Sequence, residues 1–253
     1  MRCSHCNEKL AVHDLWCAKC GRRTEVYSKD LSAVKSLKET WNKYKPIMGQ
    51  NFPVGIWAAL TGILPLIAMI IIFNYFFPSI PKWYALLIRN VVFLFFLPVL
   101  FVPFHAACAQ DDNKIKVKDF FHSFTHYDNY WIFSLISVLY YLVIYFVCKG
   151  DPILNLVWLV LVMYWVAIVI PVPILMERYR LNAWQAIKLA YKKAGDVRWH
   201  IFALGLILML INLLAAVCLV IGLCVTVPFT WFAIRDYTDK LIEYELFYEK
   251  SSE

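Results

Sequence analysis

Residues 153–176 read ILNLVWLVLVMYWVAIVIPVPILM, an uninterrupted apolar stretch without a single charged side chain. Core helices and strands of water-soluble proteins alternate apolar with polar positions, whereas more than 18 consecutive apolar residues are the mark of a membrane span. At about 1.5 Å per residue a helix over this stretch reaches about 36 Å, enough to cross the hydrocarbon layer of about 30 Å. Comparable blocks lie at 53–77, 84–108, 130–148 and 199–235. The last is too long for one crossing, and Gly222 is the natural place for it to reverse. The expectation is an all-α polytopic membrane protein of about six transmembrane helices.

Composition agrees with that class. The 253 residues are 61% hydrophobic, 17% aromatic and only 17% charged, with a mean hydropathy of +0.59, more apolar surface than a soluble fold can hide. The first 50 residues are polar and Cys-rich, unlike a short apolar leader ending in small residues, so no signal peptide is expected. Four parts follow: a Cys-rich head at 1–27, a basic amphipathic connector at 28–50, the membrane domain at 51–240 and a tail at 241–253.

Positive charge near a span resists translocation, so Lys and Arg report sidedness. Of the 25 Lys and Arg, 22 fall in the head and connector, the 105–129 and 177–199 loops, and the tail from Arg235. Only Lys82, Arg89 and Lys149 fall on the other side. Both termini are therefore expected in the cytoplasm of a cell whose inner membrane holds the chain, which requires an even number of spans.

An amphipathic segment precedes each pair of spans. Leu31, Val34, Leu37, Trp41 and Tyr44 recur at helical spacing in the first, and Val117, Phe120, Phe121, Phe124 and Tyr127 in the second. In the third, Trp184, Ile187, Tyr191 and Ala194 form the stripe opposite Lys188, Lys192 and Lys193. Such helices can lie in the membrane interface with the aromatic stripe down and Lys toward anionic headgroups. The later spans also share a Val-Pro-apolar triplet: Val102-Pro103-Phe104, Val172-Pro173-Ile174 and Val227-Pro228-Phe229. Proline within a span removes a backbone donor and bends the helix. Three hairpins, each introduced by an interfacial helix, are the simplest reading.

The most specific motif is in the head, where Cys3-x2-Cys6 and Cys17-x2-Cys20 are separated by ten residues. Two thiolates on a tight turn form a knuckle, and two knuckles supply four ligands to one tetrahedral structural Zn2+. Gly21 follows the second pair where the turn calls for positive φ, and Leu10 and Trp16 are placed to cover the metal. The rivals are a redox pair, an iron site, or a ligand exchanged for His5 or His13; a redox centre needs one such pair rather than two. The other cysteines, Cys108, Cys148, Cys218 and Cys224, sit in apolar blocks and read as small buried hydrophobes.

The head, as Cys3, Cys6, Trp16, Cys17, Cys20 and Gly21, resembles the short zinc ribbons at the start of many bacterial membrane proteins. The resemblance covers about 22 residues and implies one structural zinc per chain. More loosely, the stretch from Ala183-Trp184-Gln185-Ala186-Ile187-Lys188 through Ile221-Gly222 and Val227-Pro228 to Arg235-Asp236-Tyr237 is similar to the membrane-domain family attached to some glycerophosphodiester phosphodiesterases. The phosphodiesterase domain of those fusions is absent, so this resemblance implies a membrane module without hydrolysis.

Every Asp and Glu lies outside the proposed spans, which argues against ion-coupled transport through an intramembrane carboxylate. Arg89 is the one charge inside a span. It either snorkels to headgroups or contacts an anion or lipid phosphate. No nucleophile elbow, zinc-protease helix or phosphate-binding glycine loop is present, so no enzyme is expected. His122 and His126, one helical turn apart near His105, are weak candidates for a second metal site. The head and connector carry ten basic against five acidic residues, a surplus that attraction to anionic lipid accounts for without nucleic acid. The expected role is a scaffold at the inner membrane for a cytoplasmic protein partner or for anionic membrane lipids, with Arg89, Lys188, Lys192 and Lys193 as contacts. A transporter or channel for an anionic or lipid-like solute is the alternative.

Overall fold

The computed structural model describes residues 2–11, 14–25, 27, 30–58, 127–148, 152–195, 197–217, 219–244 and 246–247, with isolated positions between 60 and 115. Most of the first two apolar blocks, the segment 117–126, and Arg89, His105, His122 and His126 lie outside the described residues. Among the described residues the chain is helical and contains no β-strand. The helices are α1 (Ala33–Tyr44), α2 (Phe52–Ala58), α3 (Tyr127–Cys148), α4 (Pro152–Val169), α5 (Val172–Tyr179), α6 (Ala183–Lys193), α7 (Arg198–Val217) and α8 (Leu219–Glu243), with a 3-10 helix over Lys45–Asn51.

Three stretches are long and apolar enough to cross a membrane: Tyr127–Cys148, Ile153–Tyr179 and Arg198–Val217. Only 28%, 17% and 17% of their apolar cores is buried within the protein, so most of that surface needs an apolar solvent, which lipid supplies. Packing between spans uses specific contacts: Tyr140 of α3 stacks on Trp165 of α4 at 4.1 Å.

The proline signature has two different outcomes. Around Pro171 and Pro173 the helix interrupts, α4 ending at Val169 and α5 starting at Val172, because a proline ring displaces the carbonyl one turn back. Pro171 to Met176 are all buried, so this interruption sits in the centre of the fold. Pro228, in contrast, lies inside an unbroken α8. The first triplet, at Pro103, lies outside the described residues.

The long apolar block does divide, but not at Gly222. α7 ends at Val217 and α8 begins at Leu219, which puts Gly222 one turn inside α8. A Cβ there would collide with the backbone carbonyl of Ala215. The missing side chain thus serves close approach of the two arms rather than the turn. Deeper in the hairpin, Asn212 Nδ2 donates to Thr230 Oγ1 at 2.7 Å, a polar tie between apolar helices. α8 is also the hub of the fold, packing on α7, α2, α1 and α5. Gly55 of α2 meets the Cys224 backbone so closely that no side chain would fit.

α1 and α6 divide the amphipathic stripes between a buried and an exposed part. In α1 the buried residues are Ala33, Ser36, Leu37, Thr40 and Tyr44, while Val34 and Trp41 are exposed. In α6 they are Ala183, Ala186, Ile187, Leu189, Ala190 and, just beyond, Ala194, while Trp184 and Tyr191 are exposed. The small residues face the protein because they let helices approach, while Trp41, Trp184 and Tyr191 face outward on the same side as Lys38 or Lys188 and Tyr44 is buried. The two helices correspond at an offset of 150 residues: Ser32 with Asn182 before the first turn, Leu37 with Ile187, Lys38 with Lys188, and Trp41 with Tyr191. α6 is the better capped, since Asn182 and Gln185 form a reciprocal capping box.

Candidate metal centre

The head is too small for a hydrophobic core, and its described backbone is two similar turns. Cys3 accepts from Asn7 N at 3.0 Å, and Cys17 accepts from Gly21 N at 2.8 Å. Asn7 and Gly21, each four residues after its cysteine, have φ of 60° and 66°, the left-handed region that Gly and Asn tolerate best. Short antiparallel bridges, Arg2 with Lys9 and Trp16 with Arg23, close the two turns.

These knuckles bring four sulfurs together within 4.8 Å of one another. Cys3 Sγ lies 3.7 Å from Cys20 Sγ, and Cys6 Sγ lies 3.4 Å from Cys17 Sγ. Sulfurs about 2.3 Å from a tetrahedral zinc would be about 3.8 Å apart, so the set fits such an ion. The separations are far longer than the ~2.05 Å of a disulfide, and all four cysteines are free. His5 is engaged elsewhere, its ring 2.7 Å from Arg22 Nη1, and His13 lies outside the described residues.

The thiols are tuned for ligation. Backbone N–H groups of His5 and Cys6 point at Cys3 and lower its pKa to about 6, and the Cys20 N–H lowers that of Cys17. Cys6 receives the Glu8 N–H, but desolvation and the three neighbouring thiols push it up to about 12. Cys3 and Cys17 are thus shifted toward the thiolate, while ionising Cys6 beside them in so small a volume calls for a cation. Leu10 packs against Cys3 and Cys17 as anticipated. Trp16 does not: it turns toward Tyr27, ring centroids 5.8 Å apart.

That aromatic pair seats the head on the membrane helices. The Arg23 guanidinium lies 5.1 Å from the Trp16 ring and 4.3 Å from that of Tyr27. Tyr27, 4% exposed, meets the His200 ring of α7 edge-on at 4.6 Å. Leu15 joins the main core. Trp16, Arg23 and Tyr27 thus form a continuous run of ring contacts from the cysteine knuckles to the first turn of α7.

A charged cluster that sequence reasoning missed lies on the same side, around a cavity of about 350 Å³ between α1, α5 and α8. Arg178 of α5 makes a bidentate pair with Asp239 of α8 at 2.8 and 2.6 Å. Asp236 accepts from Arg235 at 2.6 Å and from Thr40 of α1 at 3.1 Å, and Lys43 lies 3.6 Å away. Lys240 pairs with Glu39 at 3.2 Å. The available signal was Asp236, Asp239, Lys240 and Glu243 on one helical face directly after an apolar run. Of the basic contact candidates, Lys188 and Lys192 are exposed and Lys193 half-buried on α6; Arg89 lies outside the described residues.

Comparison with protein-family models, with curated proteins and with solved structures finds no match.

Proposed function

We propose that this chain is a non-enzymatic inner-membrane platform: three helical hairpins, six spans in all, carrying a cytoplasmic zinc ribbon that presents a surface to a protein partner or to anionic lipid. The observation that carries the reading is the run of ring contacts from Trp16, Arg23 and Tyr27 to His200. A ribbon held in this way is displayed in a set orientation beside the membrane. The charged pairs that tie α1 and α5 to α8 lie on the same side, and so do exposed Lys188, Trp184 and Tyr191. With four sulfur ligands a zinc ion is closed to substrate, which suits a structural role. Unbroken passage of α8 through Pro228 to Glu243 supports a full sixth span in preference to a re-entrant turn, whose backbone groups would lack partners in hydrocarbon. The ribbon and membrane-domain resemblances point the same way.

The experiment is to extract the protein with its surrounding lipids in mild detergent and identify what co-purifies. A protein partner or enriched anionic lipid, with the protein partner lost from a Tyr27→Ala, Arg23→Ala double variant, is the expected result. Solute-dependent flux in liposomes, with neither enrichment, would replace the platform by the transporter reading.

A further inference from the structure

An apolar groove of about 390 Å³ runs between α1 and the α7–α8 hairpin, within the range of cavities that hold small ligands. Leu37, Trp41, Ile207, Ile211, Val225 and Phe229 are among its walls, and Lys38 is the charged residue among its described lining. We infer that this groove holds one acyl chain of an anionic phospholipid, with the lipid phosphate held by Lys38. The inference rests on the platform reading and names its lipid.

Depth identifies the occupant. Ile207 and Ile211 lie about 14 and 20 Å along α7 from Arg198, at 1.5 Å per residue, inside a helix apolar enough to cross the membrane. The medium at that depth is hydrocarbon, so an open apolar groove there is filled by a lipid chain rather than by water or a polar solute. Charge then selects the headgroup. Lys38 is exposed and has no ion-pair partner among the described residues, unlike Lys35, held by Asp30 at 2.8 Å, and Lys43, beside Asp236. Its neighbours on the stripe are Val34 and Trp41, both exposed. A lysine whose stem runs along apolar surface carries its ammonium to headgroup level, and Trp favours the same level. At the corresponding place on α6, Lys188 stands between exposed Trp184 and Tyr191, the arrangement expected of a helix at the same interface. The groove itself lies beside α1, which places the chain-binding site there.

The test is native mass spectrometry of the full chain, released from bilayer discs of equal phosphatidylglycerol and phosphatidylcholine. Four proteins are compared: wild type, Lys38→Gln, Ile211→Trp to fill the groove, and Lys35→Gln as the control. Wild type and Lys35→Gln are expected to retain one phosphatidylglycerol in preference to phosphatidylcholine. Lys38→Gln should lose about fivefold of that preference, the worth of one lysine near an anionic surface, and Ile211→Trp should lose the bound lipid altogether. Thermal melts in the same detergent confirm that each variant is folded; should Ile211→Trp not fold, Val225→Phe takes its place. Undiminished preference in Lys38→Gln, or retained lipid in the filled groove, overturns the site. If neutralising Lys188, Lys192 and Lys193 together removes phosphatidylglycerol enrichment while Lys38→Gln does not, the platform stands and the groove falls.

Discussion

Cys17 shows how much a single residue carries in a fold with almost no core. It is 1% exposed, its backbone N–H donates to Arg22 and its carbonyl accepts from Gly21, and its sulfur is one of four in the cluster. Cys17→Ser keeps the turn and removes a thiolate, so zinc measured by atomic emission is expected to fall from one per chain to near zero. The α-helical circular dichroism of the membrane part should persist, since those helices are packed on one another. Acid should act through the same sulfurs. Cys3, normally near 9.0, titrates at about 6 in the ribbon. A depressed thiol pKa favours the folded, ligating form above the ordinary value and loses that advantage as pH falls through 6. A bound cation pulls the value lower still. Release of zinc to a chromogenic chelator is therefore expected only below about pH 6, and release at pH 7 would contradict a closed four-thiolate site. The four cysteines and their spacing were legible in the sequence, because ligand geometry is local. The turn of Trp16 toward Tyr27 was not, because Arg23 and Tyr27 compete for its ring across several residues.

Between elements, the close contacts are set by residues without side chains. Gly222 lies against Ala215 and Gly55 against Cys224, both at helix crossings, whereas Gly49 has open space around its Cα. Gly222→Val is expected to destabilise the hairpin by about 1–3 kcal/mol, the typical cost of overpacking. Gly49→Ala should stay within about 0.5 kcal/mol. Equal melting temperatures for the two variants in one detergent would show that α7 and α8 do not approach at Gly222. The Asn212 to Thr230 tie is worth about 0.6 kcal/mol by the usual measure of such bonds, so Asn212→Leu should lower the melting temperature only slightly. Periodicity located α1 and α6 but did not show that each stripe is divided, with Leu37, Tyr44, Ile187 and Ala194 buried in the protein and Val34, Trp41, Trp184 and Tyr191 exposed. Hydrophobicity alone ranks Trp184 above Ala186, yet in a membrane protein the outer solvent accepts large aromatics and the tight interior takes Ala and Ser.

At the scale of the molecule, α8 is the hub on which α1, α2, α5 and α7 meet. α8 receives α7 as its hairpin partner, α1 and α2 across its flank, and α5 through the Arg178 and Asp239 pair. Because α1 follows the ribbon directly and Tyr237 donates to the Leu31 carbonyl at 2.9 Å, the head is joined to the last helix as well as to α7. Cysteine scanning with a membrane-impermeant reagent on intact cells should reach introduced cysteines near Ser79 and Gly150 and none near Lys192 or Lys116. Labelling near Lys192 from outside would overturn the proposal that both termini are in the cytoplasm.

The sequence by itself determined that the chain is helical, with stretches long and apolar enough to cross a membrane and a four-cysteine knuckle pair, because uninterrupted apolar length and ligand spacing are properties of contiguous residues. It also located the proline positions and required the last apolar block to divide, though the break falls between Val217 and Leu219 and not at Gly222. Only the tertiary structure decided that Pro171 interrupts a helix while Pro228 does not, since that depends on whether neighbouring packing supports the lost hydrogen bond. The same holds for Gly222 at a crossing instead of a turn, for the facing of α1 and α6, and for the ion pairs between Glu39, Asp236 or Asp239 and partners up to 201 residues apart. Those are set by which surfaces meet, and no local pattern records it.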